Sequence, residues 1–221
     1  MMFEHDPIEF NDLETTTMHG GRYYGTPKGW YPSVTTVLGV LSKKGIAEWR
    51  KRVGEAEANR ISTQAARRGT NVHQMCEDYV NNDLKEKSFL PHERAMFRSI
   101  QKVLDKRLGK VRAQECALYS DYLGIAGRVD CIAEFDGKLS VIDYKTAGKL
   151  KKKEYIGNYF QQASAYCVMF EEMTGIPIDQ VVIVIGVENE DEAQVFVEKR
   201  DNWIFKMIDT IKTYKDSINE V

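Results

Sequence analysis

The chain has 221 residues, 43% of them hydrophobic, 29% charged and 10% aromatic, with a formal net charge of -2. Those values fit an ordinary soluble protein, large enough for one substantial core and too small for two comfortable ones, and they exclude a general polycation. No apolar run approaches the roughly 18 residues of a membrane helix, and the acidic start "MMFEHDPIEFND" lacks the basic and apolar parts of a secretion signal, so residence in a cytoplasm, bacterial or of a phage-infected host, is expected.

The first 32 residues, rich in Gly, Tyr and Pro, read as a short hairpin with Gly20 and Gly21 at its turn, followed by a loop. Ser33 is placed to cap a helix at "SVTTVLGVL", and helical periodicity then runs to about Val80, with breaks expected near Gly45 and Gly69. Another helix is expected after Pro91. From Val111 the texture changes to three β-prone runs, "VRAQECALYS", "GIAGRVDCIAEF" and "KLSVIDYK", separated by "DYLG" and "DG" turns as in an antiparallel meander. A helix over residues 159 to 174, strands at "QVVIVIGV" and "AQVFVEK", and an amphipathic helix at "NWIFKMIDTIKTYKDSI" complete the chain. This order predicts an α/β fold: a central mixed sheet flanked by helices, with an N-terminal helical arch. One domain over 1–221 is expected, mostly helical to 110, with a core over 111–200 and a last helix over 201–221.

The four cysteines, Cys76, Cys116, Cys131 and Cys167, include no CxxC pair, which argues against structural zinc and against an iron-sulfur cluster. Basic charge is segregated: eight Lys or Arg against three Glu lie between Lys43 and Arg68, and five Lys between Lys145 and Lys153. Local basic patches on a near-neutral chain fit a polyanion bound at one site.

Residues two apart on a strand share a face, so Asp143 and Lys145 in "VIDYKTAGK" project together. Asp130 stands in the preceding strand, on the face opposite a set in which Val129 and Cys131 are placed together, and Glu115 stands one strand earlier. If register gathers these acids, their repulsion calls for a cation, and a hard divalent ion such as Mg²⁺ or Mn²⁺ suits oxygen donors and phosphate. Such an ion activates water for phosphodiester hydrolysis, with Lys145 as a point charge beside it. "TAGKL" is no P-loop, because its first glycine would fall at Asp143 and Leu150 follows the lysine.

The elements Gly127-Arg-Val-Asp130, Asp143-Tyr-Lys145-Thr146, Gln162-x-x-x-Tyr166 and, upstream, Gly69-Thr70-x-x-His73 in "RRGTNVHQMCE" together resemble the PD-(D/E)xK nucleases of the RecB-like branch. "YPSVTTVL" and the following helix with Trp49 look similar to the phage and mitochondrial genome maintenance exonuclease subgroup. The resemblance covers about residues 31 to 185. It implies that His73, Asp130, Asp143 and the backbone carbonyl of Tyr144 hold the metal and that Gln162 and Tyr166 contact DNA and organise the site. It also implies a single-strand DNA exonuclease. The cysteine cluster of some relatives has no equivalent here, so no iron-sulfur cofactor is expected, and a monomer is.

Plainer readings stand beside these. His73 and Glu77 also suit a surface pair, and Glu115 serves equally as a further metal ligand or as the partner of an arginine such as Arg68. Tyr166 shares a helix face with Ala163 and Phe170, as a core residue would. Lys149 and its neighbours fit either a solvated loop or a phosphate track, and Arg68 lies in the other basic segment. A duplex-cutting or structure-selective endonuclease and a binding protein without catalysis are the alternatives to an exonuclease.

Overall fold

Three short strands, β1 (Thr15–Met18), β2 (Gly21–Thr26) and β3 (Gly29–Pro32), form an antiparallel sheet in the computed structural model, which describes residues 2–85 and 89–219. The hairpin at Gly20 and Gly21 is present, but the loop expected after it is a third strand, with Tyr31 paired across from Tyr24. Gly29, at φ 129°, closes that second turn in a conformation a side chain would resist.

Ser33 caps α1 (Val34–Val53), its Oγ accepting from the Thr36 amide at 3.0 Å, a contact worth about 1 kcal/mol. The break before α2 (Glu55–Val80) falls at Gly54, whose φ of 85° turns the chain, and not at Gly45 or Gly69. An α-helix tolerates an interior glycine for about 1 kcal/mol, so those two glycines are absorbed. Leu41 and Ile46 on α1 are half exposed, and between 55 and 71 only Ala58 is fully buried. This stretch of the two helices therefore stands clear of the core as a hairpin arch, joined by Arg50, which reaches Glu55 and donates to Asn59 at 2.6 Å.

α3 (Pro91–Arg107) starts on a proline, which suits a first helical turn. The buried Glu93 carboxylate accepts from the Leu90 amide at 2.9 Å and from Asn71 at 2.8 Å, tying α3 to α2. The central sheet follows: β4 (Leu108–Ser120), β5 (Ile125–Phe135), β6 (Lys138–Ala147), then α4 (Gly157–Thr174), β7 (Gln180–Val187), β8 (Gln194–Lys199) and α5 (Ile204–Asn219). Its five strands lie in chain order, antiparallel except for β6 and β7, which run parallel because α4 carries the chain back between them.

Two cores cover the faces of this mixed sheet. Phe97, Ile100 and Leu104 of α3 pack with Val72 and Met75 of α2 on one side, and α4, α5 and the start of α1 pack on the other. Val129 belongs to the second core and Cys131 to the first, so the shared face expected for them is wrong. The alternation slips at Asp130, where the ladder to β6 ends.

Residues 4–8 run along the free edge of β4 as a strap, with Val111 N–H donating to Glu4 O at 2.9 Å and Ile8 N–H to Arg112 O at 2.8 Å. Among the described residues no helix is long and apolar enough to cross a membrane.

Candidate active site

The site lies where β5 and β6 part. The pairs Gln114 with Cys131 and Cys116 with Val129 set Glu115 across from Asp130. Pairing of β5 with β6 stops at Cys131 and Ile142. One further step would put Asp130 directly against Asp143, and like charges in that position repel. Instead the strands separate, and the Tyr144 N–H donates to Asp130 Oδ2 at 2.8 Å. Beyond this point β6 continues on β7 alone.

His73 reaches the gap from α2, with Nδ1 3.4 Å from Asp130 Oδ2 and its ring edge-on to that of Tyr144 at 6.2 Å. His73, Glu115 and Asp130 each offer a donor atom within 4.8 Å of the others. Asp143 stands outside this trio. It is 1% exposed, and Lys145 Nζ lies 2.6 and 2.8 Å from its two oxygens. Only the longer contact has hydrogen-bond geometry, which leaves Oδ2 buried without a hydrogen bond.

Burial, reinforced by Asp130 and Glu77, pushes the Glu115 carboxyl up to about 8. Burial likewise raises Asp143, against the pull of Lys145. For Lys145 burial opposes the charge, but Asp143 and Asp130 outweigh it and the amine shifts upward. Lys145 is therefore an ammonium at neutral pH, able to hold negative charge and not to accept a proton. The Tyr159 ring lies 5.3 Å from Lys145 Nζ on the side of α4, and burial raises its phenol.

A cleft of about 640 Å³ opens over this group, lined by His73, Glu115, Asp130, Lys145, Gln162 and Tyr166 together with Glu77, Arg128, Arg22 and Tyr24. Sites predicted far apart in sequence thus share one cavity. A second cavity of about 610 Å³, between α3 and the turn after β7, carries no comparable set of donors. Tyr166 is buried and rests on Gly127: a Cβ there would sit 2.8 Å from the Tyr166 hydroxyl, so any larger residue at this position of "GRVD" would have to displace the ring. Burial, with Asp130 and Asp143 nearby, holds the Tyr166 phenol well above its ordinary range.

Arg68 and Lys149 lie outside the lining of this cleft. Arg68 pairs with Glu188 at 3.5 Å, and Glu115 instead has Arg128 as its neighbour. Lys149 is exposed; further along the lysine run, Lys151 N–H donates to Gln194 at 2.7 Å and Lys153 pairs with Glu198. Sequence reasoning missed Arg22, Arg128 and Tyr159, while Tyr24 was expected only as one of several aromatics able to stack on bases. Tyr159 stands three residues before Gln162, on one helix face, and Arg128 stands inside "GRVD", so both had a local signal. Arg22 had none, because only the docking of the small sheet brings it in.

A mixed sheet flanked by helices parts to present acids, a histidine and a lysine to one cleft, an arrangement suited to a hydrolase of phosphodiesters. The family model of the PD-(D/E)XK nuclease superfamily matches residues 88–219, and the chain belongs to that superfamily. Mitochondrial genome maintenance exonuclease 1 of Homo sapiens is 32% identical over 130 residues, which is 54% of this chain and 38% of that protein. Its Xenopus tropicalis counterpart is 31% identical over 150 residues, 62% of this chain and 42% of its own length. The chain therefore spans well under half the length of both. The crystal structure of SSO0001 aligns over 85% of this chain and 75% of its own, at a TM-score of 0.46 and 15% identity, too distant to argue from.

The residues present suit a divalent cation. One imidazole and two carboxylates converge on a cleft, and a buried carboxylate oxygen lacks a hydrogen bond beside them. Oxygen and imidazole donors without thiolate match the harder first-row and alkaline-earth ions.

Proposed function

We propose that this chain is a divalent-metal-dependent DNA exonuclease acting on single-stranded ends, with Mg²⁺ or Mn²⁺ as its ion. The observation that carries the reading is the convergence of His73, Glu115 and Asp130 within 4.8 Å, next to the Asp143–Lys145 pair. The exonuclease names of the curated relatives support the reaction, and the projecting arch of α1 and α2 supports selection of a single strand.

His73, Asp130 and Glu115 hold the ion in this reading, with Asp143 and the Tyr144 carbonyl completing its surroundings. A bound ion supplies an acidified water and withdraws charge from the phosphate. Lys145, fixed between Asp143 and Tyr159, holds the negative charge that develops on the phosphate. Gln162 and Tyr166 shape the wall that faces DNA, while Arg68 and Lys149 continue a phosphate track beyond the cleft. The two cores share one sheet, which supports treating the chain as one nuclease unit.

The test is incubation with 5'-labelled and 3'-labelled single strands, duplexes and closed circles, in Mg²⁺, Mn²⁺ or chelator. Single strands shortened stepwise from an end, with circles intact and no product in chelator, is the expected pattern. Cut circles would make the enzyme an endonuclease, and degradation in chelator would refute the metal.

A further inference from the structure

Glu115 is the one member of the metal-binding trio with an abnormal backbone. Its φ is 44°, in the left-handed region that a side chain disfavours, and it occurs in the middle of a long strand. A residue in that conformation turns its peptide out of the strand's alternation. The ladder brackets it closely, with Gln114 and Cys116 both in register with β5, and the slip in alternation at Asp130 stands directly across from it. Something must hold it.

The Glu115 carbonyl accepts from a guanidinium nitrogen of Arg128, on the adjacent strand. The other arm of the same guanidinium pairs with Asp12, just beyond the strap along β4. Arg128 lines the active-site cleft and also the smaller cavity of about 390 Å³ behind Glu115, which Asp12 and Glu115 line with it. A planar guanidinium can serve two acceptors at fixed angles, which an ammonium cannot.

We infer that Arg128 is a positioning residue: by clamping the Glu115 carbonyl, with Asp12 as its outer anchor, it holds the strained backbone that aims the Glu115 carboxylate at His73 and Asp130. This rests on the proposal that Glu115 is a metal ligand. An extended Glu115 would relax into the strand's alternation and swing its carboxylate off the trio. Outer partners of metal ligands commonly govern affinity by about tenfold to a hundredfold.

The experiment titrates Mn²⁺ alone, without DNA, into the full chain and into Arg128→Ala, Arg128→Lys, Asp12→Asn and Glu115→Gln, by calorimetry and by the electron paramagnetic resonance signal of free Mn²⁺. Affinity of a labelled single strand is measured in chelator alongside. Arg128→Ala should lose about tenfold or more in Mn²⁺ affinity, Arg128→Lys should recover part of it, and the loss in Mn²⁺ affinity should exceed the change in strand affinity measured in chelator. Should Arg128→Ala fail to fold, Arg128→Lys and Asp12→Asn decide, each expected to weaken Mn²⁺ binding by a smaller factor. Wild-type Mn²⁺ affinity in the Arg128 variants overturns the inference, as does loss of strand binding with Mn²⁺ affinity intact, which would make Arg128 a DNA contact. Wild-type affinity in Glu115→Gln would instead refute Glu115 as a ligand.

Discussion

The backbone amide of Tyr144 donates to the Asp130 carboxylate at 2.8 Å, across the point where two paired strands part. That one bond replaces the next rung of the ladder, fixes the acid, and keeps Asp130 from meeting Asp143 head-on.

Asp143 and Lys145 form a buried pair, so single substitutions should cost stability as well as rate. Lys145→Met strands a carboxylate that is 1% exposed, at about 3–5 kcal/mol. The double variant Asp143→Asn with Lys145→Met should regain most of that stability in denaturant melts while cleavage stays down by about 10²-fold or more. Recovery of cleavage in the double variant would remove Lys145 from the chemistry.

With metal chelated, stability should fall as pH rises. The Glu115 carboxyl titrates at about 8 in the fold, above the ordinary 4.5, so charging it opposes folding. The cost is absent below about pH 4.5, grows through neutrality and is complete above about pH 8. After allowance for partial exposure it amounts to about 2 kcal/mol. Glu115→Gln should flatten this dependence, as read by melting temperature against pH.

Tyr159→Phe keeps the ring beside Lys145 and should turn over close to the native rate. Tyr159→Leu removes a cation–π contact of about 1 kcal/mol and should lower kcat several-fold with KM little changed. Equal behaviour of the two variants would show that the ring does not hold Lys145.

Gly127→Ala should destabilise by about 1–3 kcal/mol, since a Cβ would meet the Tyr166 hydroxyl at 2.8 Å and its Cε1 at 2.9 Å. Adding Tyr166→Phe should relieve only part of this, because the ring carbon remains. Full relief would assign the conflict to the hydroxyl alone.

Strand and helix order were legible in the sequence because short β-branched runs such as "QVVIVIGV" are too brief for a helix and are bounded by turn residues. Gly54 was not distinguished from Gly45 and Gly69, since all three are glycines in a polar helical stretch and only backbone geometry separates them. Asp130, Asp143, Lys145 and His73 stood out as charged groups in family order. The distinction between Asp143, taken up by Lys145, and Glu115, which joins His73, depends on a left-handed residue that no periodicity announces. Arg22 and Tyr24 depend on the small sheet docking through Thr36, whose hydroxyl accepts from the Arg22 amide at 3.0 Å.

The strap of residues 4–8 has a practical bearing on handling the protein. It satisfies the outward amide and carbonyl of Val111 and the carbonyl of Arg112, edge groups that would otherwise offer a start for another chain. Trimming those residues to tidy an expression product would bare the edge at Val111 and Arg112, and rim-to-rim association through that stretch would show in light scattering.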